Sequence, residues 1–401
     1  MPRPSAAPVS ARPRLGVAMI GHSFMGAVHS QAWRTAPRVF DLPFDVDMTV
    51  VCGRDPKGTA RAAERLGWGD WAVDWQEVVR RDDVDVVDIC TPGDSHADIA
   101  IAALAAGKHV VCEKPLANTV EEAERMAAAA QVAAEAGVRS MVGFTNRRVP
   151  ALAHAARLIA EGRIGEVRHV RAQYLQDWIV DPEFPLVWRL RKERAGSGAL
   201  GDLGSHVIDL LQHLTGEHLT GVSATQATFI TERPLPTESS GLSAQAGEQR
   251  GQVTVDDATA FTGRLEGGAL VVVEATRFAT GRKNALRIEV NGSRGSVAFD
   301  FESMNELLLY DADADAPKTE AGFRRILVTE PGHPYLGAWW PPGHGLGYEH
   351  AFVHQVHDFL TAVADDGSDP RPSFADSLQV QYVLRAVERS AADSSRWTNT
   401  G

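Results

Sequence analysis

The segment AGSGALGDLGSHVIDLLQHL, residues 195–214, places an aspartate and a histidine one helical turn apart beside two glycines. Asp202 and His206 are spaced i, i+4, so on a helix they share a face and can handle one proton together. Gly201 and Gly204 each cost a helix about 1 kcal/mol relative to alanine. Either the backbone here approaches cofactor and substrate closely, which we favour, or the segment is a poorly formed loop.

Asp209 and His213 continue the same stripe along the predicted helix. At about 1.5 Å per residue, Asp202 and His213 are about 16 Å apart, so the whole stripe cannot serve one site. We therefore predict that Asp202 and His206 act chemically and that Asp209 and His213 are structural.

A second candidate lies in CEKPLA, residues 112–117, after an apolar run that reads as a parallel strand. Open α/β sheets bind ligands at the carboxyl ends of such strands. An ammonium group there, from Lys114, could bind a substrate hydroxyl and stabilise developing negative charge on its oxygen. Taken alone, the residue is better explained as a solvated loop lysine.

GHSFMG, residues 21–26, follows the first apolar strand and opens the first helix. Gly21, Ser23, Phe24 and Met25 are therefore predicted to hold a dinucleotide pyrophosphate through backbone N–H groups and the helix N-terminus. Ser23 replaces the middle glycine of G-x-G-x-x-G, and the alternative is a plain strand-to-helix turn.

The second apolar strand ends in CGRD, with Gly53 and Arg54 where NAD-binding proteins usually carry an acidic residue. An arginine there suits a 2′-phosphate, so the prediction favours NADP over NAD, although Arg54 could also be solvated or stack on adenine. Thr91 and Pro92 end the third apolar strand and are predicted to contact the cofactor. His96, just beyond them, either touches cofactor or substrate or has no role.

Two successive patterns of secondary structure position these residues: apolar strands that alternate with helices, and then strands that alternate apolar and polar residues. The first third of the chain indicates a doubly wound parallel sheet. From about residue 165, strands alternate apolar and polar residues about glycine turns, which indicates an open, mostly antiparallel sheet. The expected fold class is α/β, with a Rossmann unit and a C-terminal α+β domain.

The expected divisions are a disordered tail at 1–13, a Rossmann domain at 14–146, an α+β domain at 147–375 and a C-terminal helix and tail at 376–401. The stretches 231–256 and 331–347 are predicted to be long loops.

Composition excludes several classes of protein. The net charge of −12 argues against sequence-independent nucleic-acid binding, and no apolar run is long enough to span a membrane. Three cysteines, each ending an apolar run, indicate reduced buried thiols in a cytoplasmic protein. His350, His354 and His357 have a spacing able to bind metal, but one polar helix face explains them, and no metal is predicted.

Together these motifs resemble the Gfo/Idh/MocA family of oxidoreductases. The resemblance rests on GHSFMG, on CTPGDSHADIAIAALAAGKHVVCEKPLA, on GRIGEVRHVRAQY and on GSGALGDLGSHVIDL, in the family's order. Within the family the pattern is most similar to the branch that oxidises C3 of levoglucosan and similar glucose-like rings. The resemblance implies an NAD(P) cofactor contacting Glu113, Lys114 and Pro115, a cis peptide before Pro115, and a homodimer or homotetramer packed through the C-terminal sheet. It also implies a catalytic trio of Lys114, Asp202 and His206.

The predicted function is therefore transfer of a hydride between a ring hydroxyl of a sugar, anhydrosugar, glycoside or inositol and a nicotinamide. His206 would be the general base, Asp202 its orienting partner and Lys114 the stabiliser of the alkoxide. The sugar is expected to contact Arg147, Gln176, Asp177 and Trp178 as well as the trio. Two alternatives remain open: an NAD-dependent glycosidase of the same fold that oxidises transiently and eliminates, and a nonenzymatic dinucleotide sensor.

Overall fold

The structure is a computed structural model that describes residues 12–240, 243–312, 317–365 and 370–401. Residues 1–11, most of the expected N-terminal tail, lie outside the described residues. Within the described ranges, no helix is long and apolar enough to cross a membrane.

The first half of the chain forms a six-stranded sheet in which all neighbouring strands are parallel. The strand order is β3-β2-β1-β4-β5-β6, which is the order of a Rossmann fold. The apolar runs are buried on both faces, as parallel sheets require, so the predicted class is confirmed. The strands are β1 (Arg14–Ile20), β2 (Asp45–Cys52), β3 (Asp70–Ala72), β4 (Val86–Ile89), β5 (His109–Cys112) and β6 (Ser140–Val142).

Helices alternate with these strands, and side-chain caps fix where several of them begin. Asp55 caps α2 by accepting from the Gly58 amide, and Thr119 and Glu122 form a reciprocal capping box on α5. The three predicted buried thiols, Cys52, Cys90 and Cys112, are buried and free. The helices are α1 (Phe24–Val39), α2 (Pro56–Leu66), α3 (Trp75–Val78), α4 (His96–Ala105) and α5 (Val120–Glu135).

The second half forms a nine-stranded sheet in the order β16-β15-β14-β13-β7-β12-β11-β8-β17. Its neighbours are antiparallel except β7 and β12, and alternate residues of each central strand are buried, as predicted. The strands of the second half are β7 (Val167–Leu175), β8 (Leu219–Ala227), β9 (Glu232–Ser240), β10 (Ser243–Gln252), β11 (Ala258–Leu265), β12 (Leu270–Thr276), β13 (Ala285–Gly292), β14 (Gly295–Asp300), β15 (Glu306–Asp311), β16 (Arg324–Leu327) and β17 (Thr398–Asn399). The helices are α6 (Pro150–Ala160), α7 (Lys192–Ala195), α8 (Ser205–Thr215), α9 (Tyr348–Ala364) and α10 (Phe374–Ala392).

The prediction of a long loop at 231–256 is wrong, because β9 and β10 pair there as an antiparallel hairpin. A two-stranded ribbon leaves one edge of each strand unpaired, so Pro234 and Pro236 are tolerated despite lacking an N–H. The hairpin is held to the body by the buried Arg233, whose Nη2 donates to the Ile179 carbonyl at 2.6 Å.

The predicted loop at 331–347 contains only a single short 3₁₀ turn, Leu336–Ala338. Trp339 packs edge-on against Phe40, which directly follows α1, and donates to His354 Nε2 at 2.8 Å. Helix α9, which follows, packs its Phe359 against Trp33 of α1. The late part of the chain therefore returns to cover the Rossmann unit.

Candidate functional site

A π-helical turn, Leu200–Gly204, carries Asp202 and leads directly into α8, whose first turn carries His206. Such wide turns inside helices occur often at functional sites. Asp256 caps this segment by accepting from the backbone amides of Gly198 at 2.7 Å and Leu200 at 2.8 Å.

Contacts within the protein explain two of the glycines around this turn. A Cβ at Gly198 would lie 1.8 Å from the Asp256 carbonyl oxygen, and one at Gly204 would meet Leu200 Cδ1 at 3.3 Å. A Cβ at Gly201 would lie 2.3 Å from Oγ of Ser197. Backbone contact with Asp256 therefore requires glycine at position 198, the Ser197 hydroxyl restricts position 201, and close approach of Gly201 to a ligand stays a prediction.

Lys114 reaches Asp202 from the carboxyl end of β5. Its Nζ donates to the Asp202 carbonyl oxygen at 2.9 Å and to Oδ1 at 3.1 Å, and the Lys114–Pro115 peptide is cis, as expected. The other carboxylate oxygen of Asp202 lies 3.6 Å from Nη1 of Arg277, which is fully buried. Burial by itself raises the pKa of Asp202, but Lys114, Arg277 and Arg189 outweigh it and hold that pKa well below its usual range.

His206 lies between two aromatic rings, with centroids 5.9 Å away for Phe144 and 5.8 Å for Tyr174. Its Nδ1 is 3.4 Å from the Asn146 amide nitrogen. Burial and the nearby Lys114 ammonium lower the pKa of His206 well below 6.5, against the opposing effect of Asp202. His206 is therefore a neutral imidazole near neutral pH, able to accept a proton.

The predicted dinucleotide loop has the backbone geometry that its glycines require. Gly21 has a φ of +98°, and a Cβ on it would lie 2.6 Å from the Cys90 carbonyl oxygen. A Cβ on Gly26 would lie 2.0 Å from the Gly21 carbonyl oxygen, so α1 packs directly on the loop. Ser23 has a φ of −74°, which any residue adopts, and α1 begins at Phe24 with Met25 beside it. This cradle of glycines and a helix N-terminus fits a pyrophosphate.

At the end of β2, a Cβ on Gly53 would lie 2.4 Å from Nε2 of His22. Arg54 is exposed, and Asp55 is engaged as the cap of α2. Pairing of the exposed Arg54 with a 2′-phosphate stays a prediction.

His96 lies behind the cofactor loops. It is 1% exposed, and its ring nitrogens face two carbonyl oxygens, that of Pro115 at 3.0 Å and that of Thr91 at 2.9 Å. Through these two contacts, His96 connects the end of the strand at Thr91 and Pro92 with the Glu-Lys-Pro loop. This geometry corrects the expected direct contact of His96 with cofactor to a supporting role.

Two of the predicted sugar-contacting residues are engaged elsewhere. Arg147 makes two hydrogen bonds to Asp209, at 2.8 Å and 2.6 Å, and so neutralises a buried carboxylate. Asp177 accepts from Lys283 Nζ at 2.7 Å and from the Gly281 amide at 3.0 Å. Both side chains are therefore paired within the protein, and sugar contact by Arg147 and Asp177 stays a prediction.

Gln176 and Trp178 lie beside the cluster. The Gln176 amide and the Tyr174 hydroxyl both donate to Asn284 Oδ1 at 2.7 Å. The Trp178 ring is stacked under the Arg277 guanidinium at 5.6 Å. They border the cluster through Tyr174 and Arg277, so sugar contact by Gln176 and Trp178 stays a prediction.

Sequence reasoning missed Asn146, Tyr174 and Arg277 as neighbours of the trio. Arg277 directly follows the apolar run of β12. A cation at the end of a buried strand is the sequence signal that could have identified it. The histidine stripe on α9 has other partners: His354 is bonded to Trp339 and Arg148, and His350 Nδ1 accepts from the Gly347 amide at 3.0 Å.

Two family models match the chain: an oxidoreductase family with an NAD-binding Rossmann fold over residues 15–144, and a GFO/IDH/MocA C-terminal domain over residues 152–298. With the strand order and the Lys114–Asp202–His206 cluster, these matches define an NAD-binding oxidoreductase. The chain belongs to the Gfo/Idh/MocA family.

Individual relatives narrow the comparison. Levoglucosan dehydrogenase of Pseudarthrobacter phenanthrenivorans is 43% identical over 95% of this chain and 97% of its own length. The crystal structure of an oxidoreductase domain protein from Kribbella flavida is 61% identical with a TM-score of 0.91, over 97% of this chain and all of that one. A levoglucosan dehydrogenase in complex with NADH and levoglucosan is 41% identical with a TM-score of 0.89, over 96% of this chain and 99% of its own.

Proposed function

We propose that this protein is a sugar dehydrogenase that oxidises the C3 hydroxyl of a glucose-like ring, with anhydrosugars such as levoglucosan as the first class to test. The carrying observation is the contact of Lys114 Nζ with Asp202 beside a neutral His206. The similarity to levoglucosan dehydrogenase supports the substrate class.

His206 accepts the hydroxyl proton, because its neutral imidazole has a free lone pair near neutral pH. This role requires the Asn146 side chain to turn its amide oxygen toward Nδ1–H, which leaves Nε2 unprotonated for the substrate. Asp202 is not the base, because three cations, Lys114, Arg277 and Arg189, lower the affinity of its carboxylate for a proton.

Lys114 has three N–H donors, of which Asp202 takes two. The third is left for the substrate oxygen, where it stabilises the charge that develops as the proton leaves. Bound oxidised nicotinamide supplies the acceptor for the hydride that departs from the same carbon. The Gly21–Gly26 cradle holds the pyrophosphate and thereby orients the ring.

The cofactor is NAD or NADP, and Arg54 favours NADP. Its exposed side chain at the end of β2 is placed to pair with a 2′-phosphate, whereas the levoglucosan dehydrogenase relative contains NADH. Steady-state assays with both cofactors decide between them.

The test is a panel of monosaccharides, inositols and anhydrosugars, assayed by nicotinamide absorbance with each cofactor. Oxidation of at least one glucose-like ring, with a 3-keto product identified by NMR, supports the proposal. Release of nitrophenol from nitrophenyl glycosides without net NADH points instead to the glycosidase alternative. Tight NADH binding without any turnover points to a sensor.

We also propose that the outer face of the nine-stranded sheet joins subunits into a homodimer or homotetramer. Leu270, Val272 and Leu308 are 41%, 39% and 38% exposed on this face and offer apolar side chains to a second subunit. Val272→Glu is expected to lower the molar mass measured by light scattering to that of one chain.

A further inference from the structure

A second charged cluster is buried behind the Glu-Lys-Pro loop, away from the substrate groups. His29 of α1 places Nδ1 2.9 Å from Asp88 Oδ2 and Nε2 3.0 Å from Glu113 Oε1. The three residues, which we call the buried triad, are 2%, 0% and 4% exposed. They come from α1, β4 and the end of β5, so one set of contacts joins three elements of the cofactor-binding unit.

The contacts of His29 determine its protonation. Both ring nitrogens face carboxyl oxygens, which accept hydrogen bonds, so the ring satisfies both only as an imidazolium. Burial by itself lowers the pKa of His29, but Asp88 outweighs it and the pKa is raised well above 6.5. Among the described residues, the other titratable groups that face the triad are Cys90 after β4, Cys112 of β5 and Tyr348 of α9.

Each carboxyl group of the triad is fixed by further contacts. Asp88 also accepts from Trp33 Nε1 at 2.7 Å. Glu113 lies against Gly143, where a Cβ would approach its Oε1 to 2.7 Å. The second oxygen of Glu113, Oε2, accepts from the backbone N–H of Lys114 at 3.2 Å. A continuous path of hydrogen bonds therefore runs from α1 through His29 and Glu113 to the backbone of Lys114.

Three buried ionisable groups are costly to desolvate, and apolar residues in their place are often at least as stable. Stabilisation of the fold therefore does not explain why these three groups are buried together. Positioning of the neighbouring Lys114 backbone does. The Glu113 carboxylate contacts the backbone of Lys114, whose Nζ in turn contacts Asp202.

We propose that His29 is a positioning residue that fixes Glu113 and, through it, the catalytic ammonium of Lys114. The inference rests on the proposed function, since it assigns His29 a role in the reaction of that site. It also couples the dinucleotide loop to the catalytic lysine, because His29 lies on the helix that the loop opens.

The two amide replacements of His29 separate positioning from folding. Glutamine places its amide near the position of Nε2 and keeps the contact with Glu113, whereas asparagine keeps only the Nδ1 contact with Asp88. His29→Asn is expected to lower kcat at least about tenfold with the KM for sugar little changed, because misplacing a catalytic group slows the reacting step. His29→Gln should restore most of that loss.

Ser30→Ala is the matched control on the same helix. Ser30 is buried and its hydroxyl accepts from Trp68 Nε1 at 2.9 Å, so its loss disturbs α1 without touching the triad. The control should lower Tm comparably to His29→Asn and leave kcat near wild type. Equal kcat losses in His29→Asn, His29→Gln and Ser30→Ala would overturn the inference.

A double-mutant cycle with Lys114→Ala keeps the inference separate from the proposed function. If His29 acts through Lys114, His29→Asn causes no further loss of kcat once Lys114 is gone. Additive losses contradict the inference. Full activity of Lys114→Ala contradicts the proposed function instead.

Hydrogen exchange at the Lys114 amide supplies a readout that needs no turnover. His29→Asn should speed that exchange about tenfold over wild type, whereas His29→Gln and Ser30→Ala should not. Unchanged exchange in His29→Asn refutes the inference even if no sugar is oxidised.

Discussion

Two histidines of this protein have pKa values that are shifted in opposite directions. His206 borders the Lys114 ammonium, and its pKa lies well below 6.5. His29 lies between Asp88 and Glu113, and its pKa lies well above 6.5. Burial acts in the same direction on both, so the sign of the neighbouring charges decides the protonation of each.

The comparison separates two uses of the same side chain. A neutral imidazole at the substrate face can accept a proton, whereas an imidazolium enclosed by carboxylates has no lone pair to offer and can only hold its neighbours in place. The predictions below test this division.

The largest effect is expected from His206→Ala. Loss of the general base should lower kcat at least about 100-fold, while the Kd for NADH stays near wild type. Steady-state kinetics and fluorescence titration measure the two constants. His213→Ala, on the same face of α8, is the control and should retain turnover; near-normal kcat in His206→Ala would remove the histidine from the mechanism.

The charge of Lys114 sets the acid limb of the pH profile. In the wild type, kcat/KM should hold constant as the pH falls through 6.5, because the pKa of His206 is lowered below that value. Lys114→Met removes a cation, so the acid limb of its residual activity should move up toward 6.5. Lys108→Met, in a lysine away from the cluster, should not shift the limb. A wild-type limb at or above 6.5 contradicts the assignment.

The buried triad should make stability depend on pH in the opposite sense from His206. Because the pKa of His29 is raised in the folded state, its contribution to the free energy of unfolding is fully present below pH 6.5. That contribution is lost as the pH rises through the folded pKa of His29. The free energy of unfolding of the wild type relative to His29→Gln should therefore fall above pH 6.5, by up to about 1.4 kcal/mol per pH unit. Because the pKa of His206 is lowered in the folded state, its contribution to the free energy of unfolding rises with pH below 6.5, and His206→Ala removes that contribution. Denaturant unfolding across pH measures both, and a pH-independent difference for His29→Gln would rule out an imidazolium.

The smallest effect is expected at Arg54, outside both histidine environments. Arg54→Ala should raise the KM for NADP about tenfold through the lost phosphate contact and leave the KM for NAD unchanged. Equal effects on the two cofactors would show that Arg54 does not distinguish them. Neither histidine's pH behaviour should change in this variant.

The parts of the molecule with a local sequence signal were predictable. Apolar strands, glycine turns and helix periodicity predicted both sheets, and the family resemblance carried by the Glu-Lys-Pro and Asp-x-x-x-His motifs implied a trio of Lys114, Asp202 and His206. The β9–β10 hairpin was not predictable, because its polar residues and prolines carry no strand pattern and its pairing depends on anchors such as Arg233.

Pairing between charged residues that are far apart in the sequence was not predictable. Arg147 has the right type and position for a sugar contact, and only the fold reveals that Asp209, 62 residues later, takes its guanidinium. The buried triad was visible in part as an aspartate inside the apolar run VDVVDIC, but its partners lie 59 residues before and 25 residues after Asp88 (88 − 29 and 113 − 88). Sequence patterns report which residues are buried and not which charges meet.

The most direct test of the account is the ¹⁵N NMR spectrum of the histidine rings near neutral pH, with His206→Ala and His29→Gln used to assign the two signals. The account predicts one protonated ring nitrogen on His206 and two on His29 in the same sample. A doubly protonated His206, or a neutral His29, would contradict the division between proton acceptor and positioning residue.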